Sequence, residues 1–226
     1  MMWKKSMRKL ESDKNIIGRY MLFLLGLFIA SMGVAFSTKA GLGTSPVASV
    51  PYSISLVCTV FTLGGWLNLL SVLQITVQVL LLGKKCKPVE IIIQTVLAFS
   101  YGYMTDFSCW LIRGIEVTTY LQQFAYMLSG CIILAFGIWI QLKGAVAMLP
   151  GEAMNRTISM VTGKKYENVK IFFDFFYISI AAIICLVFIG RLEGVREGSI
   201  FAAFAVGNII KVYNCIYNKM KFLWGI

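Results

Sequence analysis

Glu152, Asn155 and Arg156 stand three and four positions apart, spacings that put them near one face of a helix. A carboxylate, an amide and a guanidinium held together can bind a charged solute or carry a proton or cation. Alternatively, Glu152 and Arg156 pair with each other and form a neutral polar plug. Asp174 is a second carboxylate, set in the run Ile171-Phe-Phe-Asp-Phe-Phe-Tyr177. Apolar surroundings disfavour a bare carboxylate, so Asp174 either takes a proton or cation in a working cycle or pairs with Lys170, one turn earlier. Thr44, Ser45 and Ser49 offer hydroxyls around Pro46, where a helix start would add unbonded N–H groups and the positive end of its dipole. Such a start favours an anion or a carboxylate-bearing substrate. Lys39 and Lys143 either add charge there or snorkel to the membrane surface.

Enzyme chemistry is not expected. The chain has no His, and no nucleophile stands beside a recognisable base. Gly41-x-Gly43 has neither the preceding strand nor the third glycine of a dinucleotide site, and no Walker motif occurs. Six cysteines are scattered without a C-x-x-C pair, mostly in apolar runs where Cys acts as a small hydrophobe, so neither metal nor cofactor is expected.

The elements that must hold these residues are apolar. Of 226 residues, 58% are hydrophobic and only 14% charged, with a mean hydropathy of +0.79. Soluble domains run at about a quarter charged, so the chain belongs with polytopic membrane proteins, and its principal partner is the lipid bilayer. The net charge of +11 lies in clusters at residues 4–14, 84–87 and 164–170, between apolar runs. That is a topology signal rather than a nucleic-acid face, and nucleic-acid binding is not expected.

Apolar runs predict six spans: Ile17 to Phe36, Gly64 to Leu82, Val89 to Trp110, Phe124 to Gln141, Ile171 to Ile189 and Ile200 to Tyr217. One membrane domain covers 1–226, with a basic cytoplasmic arm over 1–16, a first repeat over 17–111 and a second over 121–218. Between spans lie two stretches too rich in glycine, proline and hydroxyls for simple spans, residues 39–60 and 143–162. If neither crosses the bilayer and the N-terminus is cytoplasmic, every Lys- and Arg-rich loop falls inside and the C-terminus is cytoplasmic too.

The two stretches echo each other 104 positions apart: Lys39 with Lys143, Pro46 with Pro150, and Ser53-Ile-Ser-Leu-Val57 with Thr157-Ile-Ser-Met-Val161. Gly26 and Gly33 match Gly130 and Gly137 in the same register. Three crossings per half is odd, so the second copy is inverted. The expected fold is therefore all-α: six transmembrane helices plus two re-entrant, broken helices as a 3+3 inverted repeat. Secondary transporters often bind substrate where such broken helices meet. A secondary transporter of an unidentified small molecule or ion is the leading expectation, possible proton or cation coupling included, with a membrane scaffold or accessory protein as the alternative. Neither the substrate nor the oligomeric state follows from the residues.

Gly41-Leu-Gly-Thr-Ser-Pro46, Met148-Leu-Pro-Gly-Glu152, Phe173-Asp174 and Gly194-Val-Arg-Glu-Gly198 together resemble the YczE/YyaS/YitT-type bacterial membrane proteins. The resemblance runs from about residue 18 to 215 and implies a multi-pass protein of the bacterial cytoplasmic (inner) membrane. Relatives often carry an Asp shortly after the first motif's proline; here Val47, Ala48 and Ser49 stand there, leaving Glu152 as the one carboxylate of the two motifs.

Overall fold

Pro46 and Pro150 each begin a short helix. Proline's fixed φ suits the first turn, and its missing N–H is one that no helix start could bond. In the computed structural model, which describes residues 16–83, 86–144, 146–192 and 194–223, these helices are α2 (Pro46–Val57) and α6 (Pro150–Thr162). They have 12 and 13 residues, or about 18–20 Å at 1.5 Å per residue, well short of a bilayer core of about 30 Å. The other helices are α1 (Ile16–Lys39), α3 (Leu63–Leu82), α4 (Pro88–Leu111), α5 (Tyr120–Gly144), α7 (Tyr166–Phe188) and α8 (Glu197–Leu223). The basic arm expected over 1–16 lies outside the described residues except Ile16, and Lys84 and Lys85 lie outside them too.

Among the described residues, five helices, α1, α3, α5, α7 and α8, are long and apolar enough to cross a membrane. α4 matches them in length at 24 residues but is more polar, burying Gln94, Thr105 and Ser108 against its neighbours. Two helices extend past the apolar runs. α7 begins at Tyr166 with Glu167 in its first turn, and α8 begins at Glu197. Acidic residues favour the positive end of the helix dipole, and an apolar run marks only the part that meets lipid.

The most extensive packing joins α1 to α5. A Cβ added at Gly33 would lie 2.6 Å from the Leu134 Cα, and one at Gly137 would lie 2.7 Å from the Ala30 Cα. Only glycine lets these backbones approach so closely. Gly207 of α8, by contrast, has nothing within 4 Å of an added Cβ. Around the central pair, α4 packs on α1 and α8 on α5; α2 packs on α3 and α7, and α6 on α3 and α7; α3 also packs on α4. Smaller contacts join α2 to α8 and α4 to α6.

At the end of the bundle where α1 finishes and α8 starts, Asp106 of α4 accepts hydrogen bonds from Thr62 Oγ1 (2.6 Å) and Gly64 N (2.8 Å). Asp106 therefore secures the start of α3. Lys39 Nζ donates to the Arg113 carbonyl at 3.0 Å. Lys143 sits over the Tyr217 ring at 3.9 Å and near that of Trp139, so both lysines are engaged at helix ends.

Candidate functional site

The chain descends from α1 through Ala40–Ser45 into the protein before α2 begins. Leu42 and Thr44 are fully buried. Leu42 O accepts from Gly198 N (3.0 Å), and Thr44 N donates to Ser199 Oγ (3.1 Å), locking the segment to the start of α8. A Cβ at Gly43 would strike Ser199, and its φ of 99° is one that glycine tolerates and other residues rarely adopt. One turn into α2, Ala48 packs with Ala30, Val34, Leu67 and Leu134 in the bundle interior. The start of α2 is thus its deep end. Its far end lies beside the start of α3, where Trp66 Nε1 donates to the Cys58 carbonyl (3.2 Å).

Ser45 occupies the position before α2 but makes no side-chain cap hydrogen bond. Thr44 Oγ1 is buried with no hydrogen-bond partner. Neither side chain caps the helix. Ser49 Oγ is satisfied locally by the Pro46 carbonyl at 2.6 Å. Pro51, fully buried inside α2, has no N–H to give the Val47 carbonyl one turn earlier, so this short helix lacks that ladder bond.

On the second half-helix, Gly151 lies against the Gln74 amide; a Cβ there would be 3.3 Å from Nε2. Gln74 Nε2 also donates to the Tyr177 hydroxyl at 3.0 Å. Gln78 lies one turn beyond Gln74 on α3, and Asn155 one turn beyond Gly151 on α6, on the faces those contacts define. Gln78 Oε1 and Asn155 Oδ1 are both buried and unpartnered. Val50 of α2 and Met154 of α6 meet in one apolar cluster around Tyr177 and Ala181. The two half-helices do not pack extensively on each other but share α3 and α7.

Glu152 and Arg156 do not form the internal pair that their spacing allows: no ion pair joins them among the described residues. Arg156 instead turns back along its own chain, Nη1 lying 3.7 Å from Met148 Sδ, and makes a further interaction as well. Asp174 is paired with Lys170 at 3.4 Å. Glu152 is within electrostatic reach of Lys170, and Tyr166 within reach of Glu152, Arg156 and Asp174. Two groups emerge. Glu152, Arg156 and Asp174 gather around Lys170 and Tyr166 where α6 meets α7, with Asn155 on the α6 face toward α3, while Thr44, Ser45 and Ser49 surround the start of α2.

Sequence reasoning missed Tyr177, Pro51 and Ser199. Tyr177 is one aromatic among many in α7. Pro51 carries a readable signal, since a proline five residues after another inside one short helix removes a ladder donor. Ser199 gives no signal of its own.

These features define a helical membrane protein with two short helices inserted among longer apolar ones. The chain belongs to the family of unknown function DUF6198, whose model matches residues 17–215. It is also similar to the "Uncharacterized protein YyaS" of Bacillus subtilis (strain 168), with 26% identity over 133 residues. That alignment takes in 58% of this chain and 64% of the relative's length, less than two thirds of it. The membership agrees with the resemblance read from the motifs. No solved structure matches the chain.

Proposed function

We propose that this protein is a secondary transporter of a small polar solute, built as a 3+3 inverted repeat with α2 and α6 as its re-entrant helices. The pattern of packing supports the repeat. Under the 104-residue offset, α1 corresponds to α5, α2 to α6, α3 to α7 and α4 to α8. Every major contact except α3–α4 then has its counterpart: α1–α4 with α5–α8, α2–α7 with α3–α6, and α2–α3 with α6–α7. Gly33 against Leu134 mirrors Gly137 against Ala30. Gln74 and Tyr177, near-equivalent by sequence, touch each other as residues beside a two-fold axis must. The topology that follows places both termini in the cytoplasm of a bacterial cell, with α2 inserted from outside and α6 from inside.

The observation that carries transport is a group of buried oxygens without partners: Thr44 Oγ1 at the deep end of α2, Asn155 Oδ1 on α6 and Gln78 Oε1 on α3, with Asn68 Oδ1 on α3 and Gln94 Oε1 on α4 unpartnered as well. Proteins pair buried polar atoms almost completely, because each unpaired one costs about 1–3 kcal/mol. A cluster left unpaired at two half-helices fits groups that meet a guest during a working cycle. Amide oxygens without donors favour a guest that donates hydrogen bonds or carries positive charge, and the Thr44 hydroxyl can accept or donate. Glu152 lies one turn before Arg156, and its carboxylate would balance or exchange with such a guest. The pairing of Asp174 with Lys170 gives Asp174 a smaller part.

The test is a solute panel screened against the purified protein by thermal stabilisation, since a ligand at 100 times its Kd adds about 2.7 kcal/mol. Each ligand found is then followed into proteoliposomes. Transport is supported when the ligand accumulates in the liposomes and Asn155→Leu abolishes both stabilisation and uptake. A ligand that stabilises the wild type and Asn155→Leu equally would refute the site. The second reading, a membrane scaffold, is favoured by one observation: Val50, Met154 and the Gln74–Tyr177 bond fill the space between the half-helices. Stabilisation without uptake in any liposome gradient would favour it.

A further inference from the structure

Beside α2, at the end of the bundle where α7 finishes and α8 starts, lies a cavity of about 440 Å³. Gly41, Tyr52, Leu56, Arg191, Leu192 and Arg196 line it. Its frame is fixed from two sides. Gly43 and Val195 form an isolated antiparallel bridge, and Gly198 N bonds to Leu42 O, so the α7–α8 connection is pinned to the segment leading into α2. Tyr52 is held by its hydroxyl's bond to the Thr38 carbonyl at 3.2 Å. Gly41, at φ 67°, presents open space where a side chain would stand.

The lining combines two guanidinium groups with an apolar wall of Leu56, Leu192 and the Tyr52 ring. Guanidinium presents several N–H donors in a planar fork that matches carboxylate and phosphate oxygens. Arg196 commits Nη2 to Glu197 at 3.2 Å, but the Glu197 side chain is 56% exposed, and ion pairs so exposed hold their partners weakly. Arg191 also makes an interaction of its own. Glu193 lies outside the described residues. The volume suits a small ligand.

We propose that this cavity is a binding site for an oxyanion, phosphate or carboxylate, carrying a short apolar chain. Arg191 and Arg196 hold the oxygens, and Leu56, Leu192 and Tyr52 take the chain. The site is separate from the buried oxygens of α3 and α6 and stands whether or not the protein transports. Such a ligand is either the phosphate headgroup of a lipid or a free amphipathic solute.

Two probes separate these sources on the full-length protein in neutral detergent. The first is retention of phosphatidylglycerol against phosphatidylcholine, read by native mass spectrometry. The second is hexyl phosphate, read by calorimetric titration. Arg191→Gln and Arg196→Gln should each weaken the bound probe about tenfold or more, as loss of a charge-assisted pair does, with Arg196→Lys in between. Leu56→Trp fills the cavity without touching its charge and should abolish binding, which keeps the test open if a charge variant fails to fold. Arg113→Gln, at the same end of the bundle but outside the cavity, should bind as the wild type does. Phosphatidylglycerol alone responding in this way assigns a headgroup site; hexyl phosphate responding assigns a solute site. Binding of neither probe by the wild type, or binding indifferent to both Arg191→Gln and Leu56→Trp, overturns the proposal.

Discussion

Thr44→Val should make the ligand-free protein more stable and destroy its ligand response. Thr44 is fully buried, its backbone N–H is already spent on Ser199 Oγ, and its hydroxyl alone lacks a partner. Valine has nearly the same shape, so the substitution removes an unsatisfied polar group without opening a void. Leaving such a hydroxyl unpaired costs about 1–3 kcal/mol, and removing it should return that much. For a chain of this size 1 kcal/mol moves the melting temperature by about 2–4 °C, so the expected rise is about 2–12 °C. Ser49→Ala is the opposite control. Its hydroxyl is bonded to the Pro46 carbonyl at 2.6 Å, so losing it should cost up to about 1.5 kcal/mol and lower the melting temperature. Thermal melts of both variants in one detergent, with and without a ligand found by screening, decide the matter. A ligand-free Thr44→Val protein that melts lower than wild type would refute the reasoning, because the hydroxyl would then hold a structural partner.

Gly33→Ala should destabilise the protein by about 1–3 kcal/mol, measured by thermal or denaturant unfolding, because the new methyl meets the backbone of Leu134, which cannot swing aside. Gly18→Ala, with nothing within 4 Å of the added carbon, should be neutral or gain up to about 1 kcal/mol from helix propensity. Glu152→Gln should abolish proton- or ion-coupled uptake. Asp174→Asn, removing only one partner of a pair whose lysine is 44% exposed, should change stability by less than about 1 kcal/mol. Unchanged coupled uptake in Glu152→Gln would sink the coupling model. In single-cysteine variants keeping Cys58 or Cys86, both partly accessible, a membrane-impermeant maleimide should label Cys58 from outside intact cells and Cys86 only after permeabilisation. Outside labelling of Cys86 would overturn the proposed topology.

The half-helices were legible because their signal is local. Pro46 and Pro150 mark helix starts by backbone chemistry alone, and each begins its helix in the structure. The glycines of α1 and α5 were legible because small residues repeating along apolar runs have few other uses. What stayed hidden depends on residues far apart in the chain. Gln74 and Tyr177 are joined by one hydrogen bond, yet each alone reads as an ordinary residue of its span. Arg156 turning away from Glu152, against helical spacing, follows from what packs around α6 rather than from α6 itself. The arginine cavity was equally invisible, since its lining comes from α2 and a connection about 140 residues later.

The places where the proposed repeat departs from its own symmetry point to function more sharply than those where it holds. A two-fold scaffold needs its axis residues, and Gly33 with Gly137, or Gln74 with Tyr177, answer that need without implying any guest. At matching positions of the half-helices, however, Ala48 stands opposite Glu152, Pro51 opposite Asn155 and Tyr52 opposite Arg156. The first half-helix therefore has a proline where the second offers an amide, and an aromatic wall where the second offers a cation. The peripheral helices differ too: α3 and α4 are packed together through Gly64, Asn68, Gly102 and Asp106, whereas α7 and α8 are not joined in this way and Gly207 faces open space. The looser pair belongs to the half that carries Glu152 and Arg156. If one half moves against the other in a transport cycle, the half with fewer helix contacts and the charged residues is the one built to move, and α3–α4 is the frame it moves against.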